Sequence, residues 1–289
     1  MINGVGAAVA HTSRDRAEAQ ASTIHPTAIV ARGAVVGVGS RIGAYAVIGA
    51  DVVLGDRCIV GPHAVIEGRT TIGAGNRFMQ FCSIGAGPQE DAWDGEPGRL
   101  EIGERNVFRE NVTVHAGGKA PTRIGSHNHL MVGVHVAHDC LVGDHVHFAN
   151  GATLGGRCEV RDFAWIAGHC AVHQRTRVGQ YAFVAAGSIV TQDVPPFCLV
   201  QGDRARLVSL HAKGLSAAGL LGDEVAALRR VYRTLFMSVG CWADRMAAAR
   251  CVSEGSEPVE ALLAFWEDTE RGVISRTRRT RLTAPLAVA

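Results

Sequence analysis

VGVGSRIGAYAVIGADVVLGDRCIVGPHAVIEGRTTI, residues 36–72, places an aliphatic side chain at every sixth position: Val36, Ile42, Ile48, Leu54, Val60, Ile66 and Ile72. The same phase reaches back to Ile24 and Val30 and forward to Phe78 and Ile84, then resumes at Ile102, Phe108 and Val114. It slips by four residues, restarts at Ile124 and runs unbroken to Val190. The fifth place of the hexad is small, as at Ser40, Ala46, Cys58, Ala64, Ala152, Ala164 and Ser188. Glycine often follows the aliphatic residue, at 43, 49, 55, 61, 73, 125, 143, 155 and 179, where a tight corner with strained dihedrals is expected. A helix repeats every 3.6 residues and a simple strand every two. Period six with one large and one small inward residue instead describes a triangular coil with a short strand on each face. Three hexads, about 18 residues, close one coil, and coils stack as parallel strands about 4.8 Å apart. Cys58, Cys82, Cys140, Cys158 and Cys170 fall on the small inward place, which marks them as packing residues.

Two stretches interrupt the rhythm, 87–100 (GPQEDAWDGEPGRL) and 115–123 (HAGGKAPTR). Loops that leave a rigid scaffold tend to carry function. The β-helix is expected over residues 23–200, followed by a helical C-terminal domain over 201–275. Helices are expected at 222–239, from Val225, Leu228, Val231 and Leu235, and at 257–271, with Pro258 near the start and Gly272 past the end. Residues 1–22 read as a disordered tail and 276–289 as a basic tail.

Composition excludes several classes. The chain has 289 residues, 47% hydrophobic but only 6% aromatic, so small and aliphatic side chains must fill the core. A net charge of +2 does not support nucleic-acid binding by bulk electrostatics. No apolar run approaches the ~18 residues of a membrane span. Residues 1–22 lack the features of a secretory signal, so a cytoplasmic location and free thiols are expected. None of the eight cysteines forms a CxxC pair, which argues against structural zinc.

Stacking turns sequence spacing into columns. His138, Gly156 and Gln174 share one; Asp139, Arg157 and Arg175 share the next. A histidine beside a carboxylate suits a general base, and an amide one coil above suits an oxyanion. The competing reading makes His138 a polar corner residue. His127 stacks with His145, and His129 with His147; such pairs bind metal in carbonic anhydrases of this shape, but only with a third imidazole, and otherwise are solvated surface pairs.

At IHPTAIV (24–30), QFCSIG (80–85), FRENVTVHAG (108–117), HVAHDC (135–140), DFAWIAGHCAVHQ (162–174) and TQDVPPF (191–197), the chain resembles the UDP-N-acetylglucosamine acyltransferase family, which starts lipid A synthesis. The resemblance covers residues 23–275. It implies a left-handed parallel β-helix, a homotrimer with active sites between subunits, and transfer of a 3-hydroxyacyl group from the phosphopantetheine thioester of acyl carrier protein. It implies no metal, no other cofactor and no acyl-enzyme. His138 matches the base, Asp139 its orienting partner and Gly156 the oxyanion amide. Gln89, His135, Arg157, His173, Gln174, Ala186, Arg204, His211 and Lys213 fall at substrate-binding positions.

The departures concern the acceptor. Where the family carries Asp-Leu-Lys-Tyr, Gln89 is followed by Glu90, Asp91, Ala92 and Trp93. A family histidine above the base column is Arg157, and a basic cluster that holds the nucleotide phosphates is replaced by Ser216, Ala217 and Ala218, with Lys213 as the nearby cation. Three alternatives to the lipid A enzyme stand beside it: a different sugar or amine acceptor, a carbonic-anhydrase-like metal enzyme, and a scaffold without catalysis.

The family measures acyl length with one side chain, aligned here with Ala186; glycine there admits long chains and methionine shorter ones. Ala186→Gly should therefore lengthen the preferred chain and Ala186→Met shorten it. One methyl in a close-packed groove displaces about one methylene, worth about 0.8 kcal/mol of burial. Relative rates across a thioester length series check this; unchanged ratios would remove Ala186 from the role.

Overall fold

The computed structural model describes residues 21–275 apart from Ala92, Asp94, Glu96, Pro97, Glu254, Glu267 and Asp268. The expected tails, except for Ala21 and Ser22, and the loop residue Ala92 lie outside the described residues.

The repeat folds into a left-handed β-helix with sheets of 11, 9 and 8 short strands, all parallel except for the last pair of the first. The sheets begin at Thr23–Ile24, Ile29–Val30 and Val35–Val36, and are termed the first, second and third faces. Each strand pairs with the strand one coil on, so Arg41 faces Ile59, Val47 faces Val65 and Val35 faces Val53. The sixth-place residues point inward: Ile48, Ile66, Ile84, Leu130, Leu154 and Val190 are fully buried. Ile24 is 48% exposed because it lies in the first coil, which has a neighbour on one side only among the described residues. The five inward cysteines are buried, and all eight are free.

The two interruptions differ in phase. Ile72 pairs with Ile102, so the 87–100 stretch adds two whole hexads and keeps the inward phase. Ile102 pairs with Ile124, where the second loop adds four residues and forces the slip. A ladder of buried asparagines spans both joins. Asn76 Oδ1 accepts from the Asn106 amide, Asn106 Oδ1 from the Asn128 amide, and Asn128 Oδ1 from the Val146 amide.

The corner glycines serve a purpose other than the expected one. The residue directly after the aliphatic has ordinary dihedrals, but a Cβ on Gly37 would lie 2.3 Å from the carbonyl carbon of Gly55, and one on Gly61 2.8 Å from the amide of Gln80. Close approach of the next coil therefore selects glycine there. The left-handed residue comes two places later and is mostly not glycine: Tyr45, Arg57, His63, Asp139 and Arg157 have φ of 58, 53, 57, 59 and 62°. Each such residue costs about 1–2 kcal/mol. Interlocking offsets it, since the same amide donates to the preceding coil, as from His63 to the Ala44 carbonyl and from Arg157 to that of His138.

The last face extends past residue 200. Cys198–Gln201 pairs antiparallel with Arg206–Leu210, and helices begin only at α1 (Ala212–Ala217). Then follow α2 (Gly222–Met237), α3 (Trp242–Cys251) and α4 (Glu257–Ala264). Helix α2 agrees with the expectation to within its last turn. Helix α3 was not expected; only Ala249 is buried along it, so no apolar stripe announces it. Helix α4 is shorter than the expected 257–271. Phe265 leaves the helix to lie under the guanidiniums of Arg161 and Arg177, 5.3 and 4.5 Å away, and its carbonyl accepts from Arg177. Among the described residues no helix is long and apolar enough to cross a membrane.

Asp193 joins coil to cap. Only 1% exposed, it accepts from the Arg177 amide at 2.8 Å, Arg177 Nε at 2.9 Å and Thr269 Oγ1 at 2.8 Å. Removing one partner of a buried pair strands the other charge, at a cost of about 3–5 kcal/mol. Asp193→Ala should lower the unfolding free energy by about that amount in denaturant titration; a loss below about 1 kcal/mol would show the contact to be dispensable.

Candidate active site

Both interruptions converge on one corner. His138 and Asp139 follow the second-face strand His135–Val136, and both are buried. His138 Nδ1 lies 2.7 Å from Asp139 Oδ2. The other carboxylate oxygen accepts three backbone amides of the second loop: Gly118 at 3.0 Å, Lys119 at 3.0 Å and Ala120 at 2.8 Å. The Asp139 amide donates to Thr122 Oγ1 at 2.8 Å. Burial alone would raise this carboxyl, but the His138 hydrogen bond and the amides of Ala120, Gly118 and Lys119 outweigh it and hold it below the usual carboxylate range. An ionised Asp139 accepts a hydrogen bond from Nδ1–H, which leaves the Nε2 lone pair free to take a proton.

Gly156 lies one coil above. A Cβ there would come within 2.6 Å of His138 Nε2, so only glycine leaves the imidazole its place. At some third-face corners the amide at this place is taken by a side chain: Val38 donates to Asp56, Ser126 to Asp144 and Asp144 to Asp162. Among the described residues the Gly156 amide has no partner. An unpaired donor beside a poised imidazole can bind developing negative charge.

The first loop supplies a residue the sequence reading passed over. Glu90 reaches Arg157, with Oε1 and Oε2 at 2.6 and 2.8 Å from one guanidinium nitrogen, and its Oε2 lies 3.8 Å from His138 Nδ1. Arg157 Nε is 3.7 Å from Asp139. Glu90, His138 and Asp139 are the one set of ligand-type side chains gathered tightly enough to attract a cation among the described residues, and the guanidinium supplies that charge. The histidine pairs extend into aromatic stacks: His145 continues onto Phe163 and His147 onto Trp165, at 4.8 and 4.0 Å.

Residues 193–274 match the family model described as UDP-N-acetylglucosamine O-acyltransferase, domain 2, and 33–68 and 121–156 match bacterial transferase hexapeptide repeats. The UDP-N-acetylglucosamine acyltransferase of Campylobacter jejuni is 34% identical over 88% of this chain and 100% of its own, with a TM-score of 0.83. The chain belongs to the UDP-N-acetylglucosamine acyltransferase family. Those of Francisella novicida (28% identity; 89% and 95% covered; TM-score 0.86) and Bacteroides fragilis (31%; 86% and 99%; 0.83) agree. The protein is therefore an O-acyltransferase of this type.

Within this acyltransferase the remaining expected site residues divide by corner. His173 and Gln174 stand exposed on the second face, above Gly156 in the stack, with His173 Nδ1 3.1 Å from the Gln174 carbonyl. His135 faces outward beneath them and contacts Thr113 Oγ1 at 2.7 Å. Gln89 is exposed beside Glu90. Ala186 sits at the corner between first and second faces, and His211 packs against Phe183 of the first face with Nδ1 2.9 Å from the Tyr181 carbonyl. Arg204 and Lys213 are exposed near the cap. One chain does not bring these four to the His138 corner.

His115 also lies at this site, 6% exposed, with no partner for Nδ1 and its ring 4.9 Å from that of His135. Burial, reinforced by His135 and His138, pushes it down to about 4. An unfolded histidine titrates near 6.5. Between about pH 6.5 and 4 the unfolded chain thus binds a proton that the folded one refuses. The stability from neutral His115 is whole above that window and lost as pH falls through it. His115→Leu should flatten the pH dependence of the unfolding free energy there by about one proton; an unchanged slope in denaturant titrations would contradict the assignment.

Proposed function

We propose that the protein transfers a 3-hydroxyacyl group from acyl carrier protein to a hydroxyl of UDP-N-acetylglucosamine, the first step of lipid A synthesis, in the cytoplasm. The observation that carries this reading is the His138–Asp139 hydrogen bond beneath the unpartnered Gly156 amide. His138 Nε2 takes the proton of the acceptor hydroxyl as its oxygen attacks the thioester carbonyl. The carbonyl oxygen becomes an oxyanion, to which the Gly156 amide donates. Collapse expels the thiolate of the carrier, which recovers the proton from His138, so no group remains on the enzyme. Asp139 keeps the imidazole in the accepting tautomer and stabilises the imidazolium between the two transfers.

The division of the site supports a homotrimer. Ala186, Arg204, His211 and Lys213 lie away from the His138 corner, so a neighbouring copy would bring them to the groove. A second reading keeps the donor and changes the acceptor to another sugar or an amine. It is favoured by Ala217 and Ala218, which stand at the end of α1 without cationic side chains, and by Arg157, which is committed to Glu90.

Mass spectrometry of products from 3-hydroxyacyl carrier protein and UDP-N-acetylglucosamine tests both. An acylated nucleotide sugar is expected, and His138→Ala should cut its rate at least about a hundredfold while the fold is kept. Product from other acceptors alone would select the second reading. Full activity in a folded His138→Ala variant would overturn the base assignment.

A further inference from the structure

Arg157 stands one coil above Asp139, on a left-handed corner that aims its side chain along the column. Glu90 comes from the first loop, 67 residues away in sequence, and its carboxylate meets that guanidinium rather than solvent alone. Gly87 lets this loop close: a Cβ there would strike the ring of Trp93, whose amide donates to the Glu90 carbonyl. Two carboxylates therefore approach one imidazole, Asp139 at 2.7 Å and Glu90 at 3.8 Å, with a single cation between them.

Two negative charges beside a histidine favour the protonated ring, which cannot accept a proton. A lone cation there would disfavour protonation. The other charged or titratable groups facing this place are His115 and His135 from the second face and Lys119 from the second loop. Burial holds both histidines towards the neutral form, and Lys119 acts on Glu90. None of them replaces the guanidinium that binds Glu90 directly.

We propose that Arg157 and Glu90 are paired positioning residues: their ion pair seats the first loop over the His138–Asp139 dyad and balances the charge around the base. The proposal rests on the reading of His138 as the base. It accounts for an acidic loop residue beside a dyad that needs only one carboxylate.

The test uses the full-length protein in two arms. In the first, the acid limb of the kcat/KM–pH profile is compared for wild type, Arg157→Gln, Glu90→Gln and the double variant. Arg157→Gln leaves two carboxylates unopposed and should move the limb up by about one pH unit; Glu90→Gln leaves Asp139 as the one carboxylate against the cation and should move it down; the double variant should return near wild type. In the second arm, the His138 imidazole is titrated by NMR on histidine-labelled protein, its signal assigned by its absence in His138→Gln. The same opposite shifts are expected there without any substrate. A mere loop anchor would lower activity in each variant and leave both the limb and the titration in place. Shifts that are absent, or that share one direction, would overturn the proposal. A correct NMR pattern without acylation of UDP-N-acetylglucosamine would instead overturn the proposed acceptor and leave the pair standing.

Discussion

Every feature of this protein depends on the backbone hydrogen bonds that join one coil to the next. Gly61 donates to Phe78, Val65 to Cys82 and Gly155 to Val172, so most residues are held above the one a full coil earlier. Parallel strands on three faces leave no freedom in this register, because a slip of one residue would turn the inward aliphatics out. The same bonds bring successive corners so close that glycine alone fits at places such as 37, 61 and 156. They also support residues like Asp139 and Arg157 in left-handed conformations that an isolated chain would avoid.

Stacking converts sequence into columns, and the site is a use of that conversion. His138 requires the glycine above it for space, and that glycine exposes an amide because it has no side chain and receives none from the next coil. The Asp139 carboxylate organises the second loop by taking three successive amides, so the four-residue slip serves both to admit the loop and to fix the carboxylate beside His138. The first loop preserves the phase, which lets a long excursion reach the dyad without disturbing the core beneath.

The separation of the expected positions among corners has a physical origin as well. A rigid triangular coil sets its corners apart, and no side chain spans from one to another through a filled interior. Within one chain, His211 and Lys213 therefore stand apart from His138.

The fold was legible in the sequence because period six is imposed by burial, residue by residue, and both loops were visible as breaks in it. The columns of His138–Gly156 and Asp139–Arg157 followed from spacing alone. Glu90 was not legible as a site residue: its partner is 67 positions away, and only the path of the loop brings the two charges together. The role of the corner glycines was misread for the same reason, since the atom that excludes a Cβ belongs to another coil. Helix α3 has no apolar stripe, and α4 ends early because Phe265 is drawn to Arg161 and Arg177 of the coil. The sequence by itself thus determined whatever a local repeat can encode, which is the coil, its register and the residues at its corners. Tertiary structure alone decided which charges meet, because those contacts depend on where non-repeating segments land in space.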